Sequence, residues 1–186
     1  MKISRFLTIS LIIVAFVIGI GAGYLIAPEY SMAGYVAKHV DLGKADKYVD
    51  LRYLDAMIAH HRGAMVLAQQ IKEKTKRPEI RKLAEDILAG EPKAIAELYQ
   101  WKKDWYKDIR KVSDKAVPNL GEYDENFDLR FLNALITHHE EGIVMAKEIR
   151  LKSTRAQVLS NADALIEFLT GGLTMLKEWR GQWYVK

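Results

Sequence analysis

The sequence predicts an all-α protein: an antiparallel four-helix bundle made from two copies of one helical hairpin and preceded by a transmembrane helix. Three observations support this prediction. Ala, Leu, Lys and Glu are abundant and proline occurs only four times, a composition that favours helix over strand. One segment occurs twice, at 50–106 and again at 128–184, and an uncharged run lies near the N-terminus.

The uncharged run, at positions 6–27, is the first predicted element. As a helix it extends about 33 Å, which is enough to cross the hydrocarbon core of a bilayer. Lys2 and Arg5 precede it and no acidic residue does, so the positive-inside rule places the rest of the chain outside the cytoplasm. A cleaved signal peptide is the alternative, but its apolar core normally spans only about 7–15 residues. We therefore expect an anchor at 1–27, a tether or short helix at 28–46, and a bundle at 47–186.

The composition excludes several classes of function. No cysteine occurs, so disulfides, thiolate metal sites and cysteine nucleophiles are ruled out. Lys2 and Arg5 carry two of the four net positive charges, which leaves the remainder at only +2. This balance gives little support to nucleic-acid binding. No nucleophile elbow, phosphate-binding glycine loop or dinucleotide motif occurs either, and we expect a protein that is not an enzyme.

The internal duplication is detected when the sequence is shifted along itself until position 50 lies on position 128. Eleven positions are then identical between 50–71 and 128–149, and the same shift matches the four tryptophans in two pairs. Each copy is typical of a helical hairpin, because Pro78 suits the first turn of a second helix. We expect helices at about 46–74, 78–110, 125–152 and 155–184, with a linker at 111–124. Two such hairpins bury four amphipathic faces as an antiparallel bundle.

Each copy carries an adjacent histidine pair, His60–His61 and His138–His139. On a helical projection the second histidine of each pair lies on the apolar stripe, and the first lies about 100° to one side. Related hairpins commonly pack about a pseudo-twofold axis, which would bring the four imidazoles together in an apolar interior. Neutral imidazole is a good ligand for copper, zinc, iron and nickel. Because an unpaired buried imidazole is costly, the arrangement predicts a metal ion or a partner carboxylate.

The choice of metal follows from the neighbouring residues. Copper accepts imidazole, and its monovalent form also accepts thioether sulfur, so Met57, one turn before His61, is a further candidate ligand. Zinc is a second candidate metal, with imidazole and carboxylate ligands. A di-iron centre needs Glu-x-x-His, and Met57 and Leu135 stand where that glutamate would be. The alternative to a metal site is a structural network of histidines bonded to backbone or to the carboxylates of Asp50, Asp128 or Glu141.

The segments AMIAHHRGAMVLA (56–68) and ALITHHEEGIVMA (134–146) resemble the bacterial family catalogued as domain of unknown function 305, over about positions 46–184. The resemblance implies a ferritin-like helical bundle, usually exported, with copper binding or copper tolerance in some members. It also implies metal-site residues at His60, His61, His138, His139, Asp50 and Asp128. The family's second helix typically carries Gln-x-x-Glu-Ile-x-x-Met, whereas this chain has EPKAIAEL (91–98) and LTGGLTML (169–176). Glu91 is the polar residue left there to reach inward.

The sequence thus predicts a membrane-anchored extracytoplasmic protein that binds copper, or alternatively zinc, through two His-His pairs and buffers or sequesters it. The expected partners are the metal ion and the membrane. The competing interpretation is a non-enzymatic structural or interaction bundle whose histidines form a buried polar network. If neutral imidazoles bind the metal, affinity should collapse below about pH 6.

Overall fold

The computed structural model describes residues 41–184. It contains four helices, which we name α1 (Val49–Lys72), α2 (Pro78–Tyr106), α3 (Phe127–Arg150) and α4 (Ala156–Tyr184), and no strand within the described range. The predicted all-α fold of two helical hairpins is confirmed. The predicted transmembrane segment lies outside the described residues, as does the tether as far as residue 40. None of the four described helices is long and apolar enough to cross a membrane.

The helix ends have local physical causes. Helix α2 begins at Pro78, where the missing N–H leaves no hydrogen bond unmade. It ends at Tyr106, earlier than expected, because Lys107 adopts a left-handed conformation with φ of 55° and its N–H bonds to the Lys103 carbonyl. A left-handed residue in this position terminates a helix. The segment 107–126 then connects the two hairpins.

The two hairpins join through their first helices. Helix α1 packs against α2, α3 packs against α4, and α1 packs against α3. The start of α1 at Leu54 shares a hydrophobic cluster with the end of α3 at Ile149. The end of α1 at Ile71 shares a second cluster with the start of α3 at Phe127. Helices α1 and α3 are therefore antiparallel, and each cluster draws side chains from both hairpins.

The two hydrophobic clusters are related by the sequence repeat. Each contains twelve buried side chains, and every member of the first has its counterpart at the repeat-equivalent position in the second. Two repeat-equivalent arginines make equivalent hydrogen bonds: Arg52 donates to the Leu42 carbonyl at 2.6 Å, and Arg130 donates to the Leu120 carbonyl at 2.7 Å. The structure therefore has the expected pseudo-twofold symmetry, and the duplication begins at Leu42 and Leu120, earlier than the sequence match indicates.

Candidate metal centre

Both histidine pairs lie where α1 and α3 cross, between the two hydrophobic clusters. All four side chains are buried, with relative exposures of 4–8%. His60 and His138, which the repeat relates to each other, stack face to face with ring centroids 3.7 Å apart and planes within 5°. His61 and His139 lie beside them, with ring centroids 6.2 and 6.5 Å from the first histidine of their own pair. The pseudo-twofold axis therefore passes between the stacked rings.

Glycines make room for the imidazoles. A Cβ atom on Gly142 would lie 2.7 Å from Nε2 of His60, and one on Gly172 would lie 2.7 Å from Nε2 of His139. A Cβ atom essentially never lies this close to another side chain, so glycine is what allows the backbone to approach these rings. Sequence reasoning did not assign Gly172 to the site, because it lies on α4, far along the chain from the ring that it contacts.

Burial keeps three of the rings neutral. Desolvation lowers the pKa of His60 and His138 well below the usual 6.5, and neighbouring rings and the Lys115 ammonium lower it further. Burial lowers the pKa of His139 to about 4. At neutral pH each of these imidazoles therefore keeps a nitrogen lone pair, which is the form that binds metal ions.

The second histidines of the two pairs, His61 and His139, differ in their hydrogen bonds. His61 Nδ1 is bonded to the carboxylate of Glu91 on α2, the residue that the sequence left to reach inward. An ionised Glu91 accepts the Nδ1–H, which leaves the lone pair of His61 on Nε2. The repeat places Leu169 at the corresponding position of α4. His139 Nδ1 is accordingly buried without a hydrogen bond of good geometry among the described residues, although the Leu135 backbone is near enough to offset part of the lowering of the His139 pKa by burial.

The predicted acidic ligands lie away from the imidazoles. Asp50 is in the first turn of α1 and Asp128 is in the first turn of α3. Each lies about 15 Å along its helix from the histidine pair that follows it. Asp50 pairs with Arg155 at 3.1 Å, and Asp128 pairs with Arg77 at 3.5 Å. The structure thus places both aspartates at the ends of the bundle, in ion pairs that join the two hairpins.

Met57 lies one helical turn before His61 and is fully buried in the first hydrophobic cluster. Its repeat counterpart, Leu135, occupies the same place in the second cluster. A thioether one turn from an imidazole is close enough to share an ion with it after a change of rotamer. In this conformation Met57 packs as a core side chain.

The imidazole donors suit copper or zinc, but they are not gathered around one point. Within residues 41–184, no group of three or more His, Asp or Glu side chains is arranged to hold a metal ion. The stacked rings of His60 and His138 direct their in-plane lone pairs side by side rather than toward a common ion. The four buried imidazoles, three of them neutral, nevertheless provide nitrogen ligands of the kind that such an ion binds. An ion shared by His60 and His138 would require the stacked rings to separate.

Comparison with known proteins identifies the family. The family model described as domain of unknown function DUF305 matches residues 50–119 and again residues 110–180. The two matches together span more than two thirds of the chain. The chain belongs to the DUF305 family. No protein with a curated functional description matches it significantly.

Several solved structures share the DUF305 fold of this chain. CopM in its Cu(I)-bound form gives a TM-score of 0.65 at 28% sequence identity, over 73% of this chain and 97% of that chain. CopM co-crystallized with silver gives 0.65 at 27% identity over the same shares. A DUF305 fragment from Deinococcus radiodurans gives 0.60 at 18% identity, over 75% of this chain and 99% of that chain, and shows the fold alone.

Proposed function

We propose that this DUF305 protein binds copper in its monovalent state at the four-histidine centre and buffers or sequesters the ion without transforming a substrate. The observation that carries the proposal is the meeting of four buried histidines, contributed by both hairpins, with three of the rings held neutral. CopM is similar over nearly its whole length and was solved with Cu(I) and with silver. Both ions are soft and monovalent, and CopM was also solved with Cu(II), so the set of bound ions supports copper over zinc.

The four imidazoles have different roles in this proposal. His61 presents Nε2 because Glu91 holds its Nδ1, and a carboxylate behind a ligand histidine fixes the orientation of the ring and raises its basicity. His139 has the unpaired nitrogen. His60 and His138 complete the ligand set once they separate. The ion is cargo, so the protein needs only to hold it away from water and competing ligands.

The proposal includes attachment to a membrane, with the bundle on the extracytoplasmic side. The uncharged run at positions 6–27 and the two basic residues before it support this placement. A protease-protection assay on intact and permeabilised cells tests it. Protection of the bundle inside the cytoplasm would contradict the proposed orientation.

A thermal melt tests the metal site. The full-length chain, purified metal-free in a mild detergent, would be melted alone and with Ag(I), Cu(I) under reductant, or Zn(II). An ion that binds only the native state at 100 times its dissociation constant adds about 2.7 kcal/mol, a shift of several degrees. The shift should occur with Ag(I) and Cu(I) and disappear in the His61→Ala/His139→Ala variant. It should persist in His39→Ala, the control, because His39 is the one histidine of the sequence outside the two pairs. No shift with any ion would refute the proposal.

The second candidate function is a structural or interaction bundle whose histidines only fill the core. The close stacking of His60 on His138 favours it, because the pair already packs without an ion. This alternative predicts that a His60→Ala/His138→Ala variant loses the same stability with and without metal. A loss that depends on metal would count against it.

A further inference from the structure

Part of the linker between the hairpins covers the histidine centre. A Cβ atom on Gly63 of α1 would lie 3.1 Å from Val117 Cγ1 and 3.3 Å from His138 Cε1, so the linker, α1 and the imidazole are in close contact there. Lys115 and Val117 also line a cavity of about 10 Å³ together with His138 and Glu141. A cavity of this size holds about one water molecule.

Lys115 brings a positive charge to a buried carboxylate at this position. Its ammonium pairs with Glu141 of α3, whose side chain is 6% exposed. Glu141 lies three positions after His138, a spacing that puts both side chains on one side of the helix. The charge acts on the rings themselves, since Lys115 contributes to the lowered pKa of both His60 and His138.

The charged side chains that border the centre leave it with one net negative charge. Glu91 contacts His61, Glu141 lines the cavity with His138, and Lys115 neutralises Glu141. The imidazoles themselves add no charge when neutral. A monovalent cation therefore balances the centre, whereas a divalent cation leaves an uncompensated positive charge in a buried place, which is costly.

We propose that Lys115 determines the charge selectivity of the histidine centre: by occupying the Glu141 carboxylate, it favours monovalent over divalent cations. This inference rests on the proposed function, because it concerns ions bound at the same histidines. The repulsion energy between the ammonium and a bound ion is proportional to the charge of the ion, so it is twice as large for a divalent cation as for a monovalent one. Lys115 also withholds a carboxylate oxygen, a ligand that zinc uses together with histidine.

The test compares Ag(I) and Zn(II) affinities in full-length variants by competition with chelators of known affinity. Lys115→Met removes the charge and keeps most of the side-chain volume. Lys111→Met is the matched control, because Lys111 is an exposed lysine of the same linker. If Lys115→Met raises Ag(I) affinity about threefold, Zn(II) affinity should rise about tenfold, since the logarithm of the gain scales with ionic charge. Lys111→Met and Lys115→Arg should change neither.

Further variants identify the carboxylate through which Lys115 acts. The Zn(II) gain of Lys115→Met should be lost in the Lys115→Met/Glu141→Gln double variant. Lys115→Gln, which keeps a hydrogen-bond donor, serves if the methionine variant fails to fold. Equal gains in Ag(I) and Zn(II) affinity in Lys115→Met, or no gain in either, would overturn the inference. The proposed function would remain intact in that case as long as the wild type binds Ag(I). If the wild type bound neither Ag(I) nor Cu(I), the proposed function would fall, and the inference that rests on it would fall with it.

Discussion

Mild acid should unfold the metal-free protein well above the pH at which carboxylates titrate. His60, His138 and His139 have native pKa values below the usual 6.5 because they are buried. The unfolded chain therefore binds more protons than the native protein at these three positions. Their contribution to stability is complete above about pH 6.5 and is lost as the pH falls.

The magnitude follows from the number of rings. Each strongly depressed histidine loses on the order of 1 kcal/mol of stability between pH 7 and pH 5.5, and the three together lose roughly 3–4 kcal/mol. That is a large fraction of the roughly 5–15 kcal/mol typical of a folded protein. The loss for His139 continues to about pH 4, where its native pKa lies. Asp46 and Asp124 also have lowered pKa values, but from a usual value of 3.8, so their effect begins below this window.

Urea unfolding of the full-length, metal-free chain between pH 7 and pH 5.5 measures this loss. The stacked pairs Trp101–Trp105 and Trp179–Trp183 provide the fluorescence signal. The slope of the unfolding free energy should approach about 4 kcal/mol per pH unit below pH 6, and His139→Leu should reduce it by about one third. A loss of less than about 1 kcal/mol over the whole range would refute the reasoning, because the native rings would then accept protons freely.

Three further predictions concern single residues. Gly142→Ala should destabilise the fold by about 1–3 kcal/mol, because its Cβ would lie 2.7 Å from Nε2 of His60. The control Gly90→Ala, at a helical site with nothing within 4 Å, should instead stabilise the fold by about 0.5–1 kcal/mol. Equal melting temperatures for the two variants would contradict the packing of the rings. Glu91→Gln should weaken Ag(I) binding about 10-fold or more by loosening the histidine that it orients, as measured by chelator competition; unchanged affinity would exclude that role. Arg155→Ala should lower stability to both urea and heat but leave Ag(I) affinity unchanged, because its partner Asp50 lies at the end of the bundle. A change in Ag(I) affinity would place that ion pair at the metal centre.

The duplication made most of the fold predictable from the sequence. The match of one half of the chain to the other, together with helical periodicity, indicated four helices and a pseudo-twofold axis. It also indicated that the two histidine pairs would meet, because symmetric hairpins bring equivalent helices to the same depth. The structure agrees, with His60 stacked on His138.

The sequence indicated only one of the features that break the symmetry, the inward-reaching Glu91. Glu91 and Leu169 are equivalent in the repeat, but only their positions in space show that one histidine gains a carboxylate and the other keeps an unpaired nitrogen. Lys115 lies in a linker with no regular pattern, so its contact with Glu141 was not visible either. Asp50 and Asp128 were candidate ligands through the family resemblance, yet the rise of the helix separates each from the imidazoles by about 15 Å.

The lowered pKa values also revise the expected response of metal binding to pH. An ordinary imidazole would lose its metal below about pH 6, but protons compete for His139 only near pH 4. Any loss of metal binding through His139 between these values should therefore follow the unfolding of the chain. Circular dichroism recorded during an acid titration of the Ag(I)-loaded protein would show whether the two losses coincide.

X-ray absorption at the copper edge tests the central claim most directly. The full-length chain, loaded with one equivalent of Cu(I), should show nitrogen neighbours at about 2.0 Å with the outer-shell scattering of at least two imidazoles. That scattering should weaken in the His61→Ala/His139→Ala variant, disappear when all four paired histidines are replaced, and be kept in His39→Ala. A spectrum without imidazole scattering, or one unchanged when the four paired histidines are replaced, would show that copper binds elsewhere or not at all.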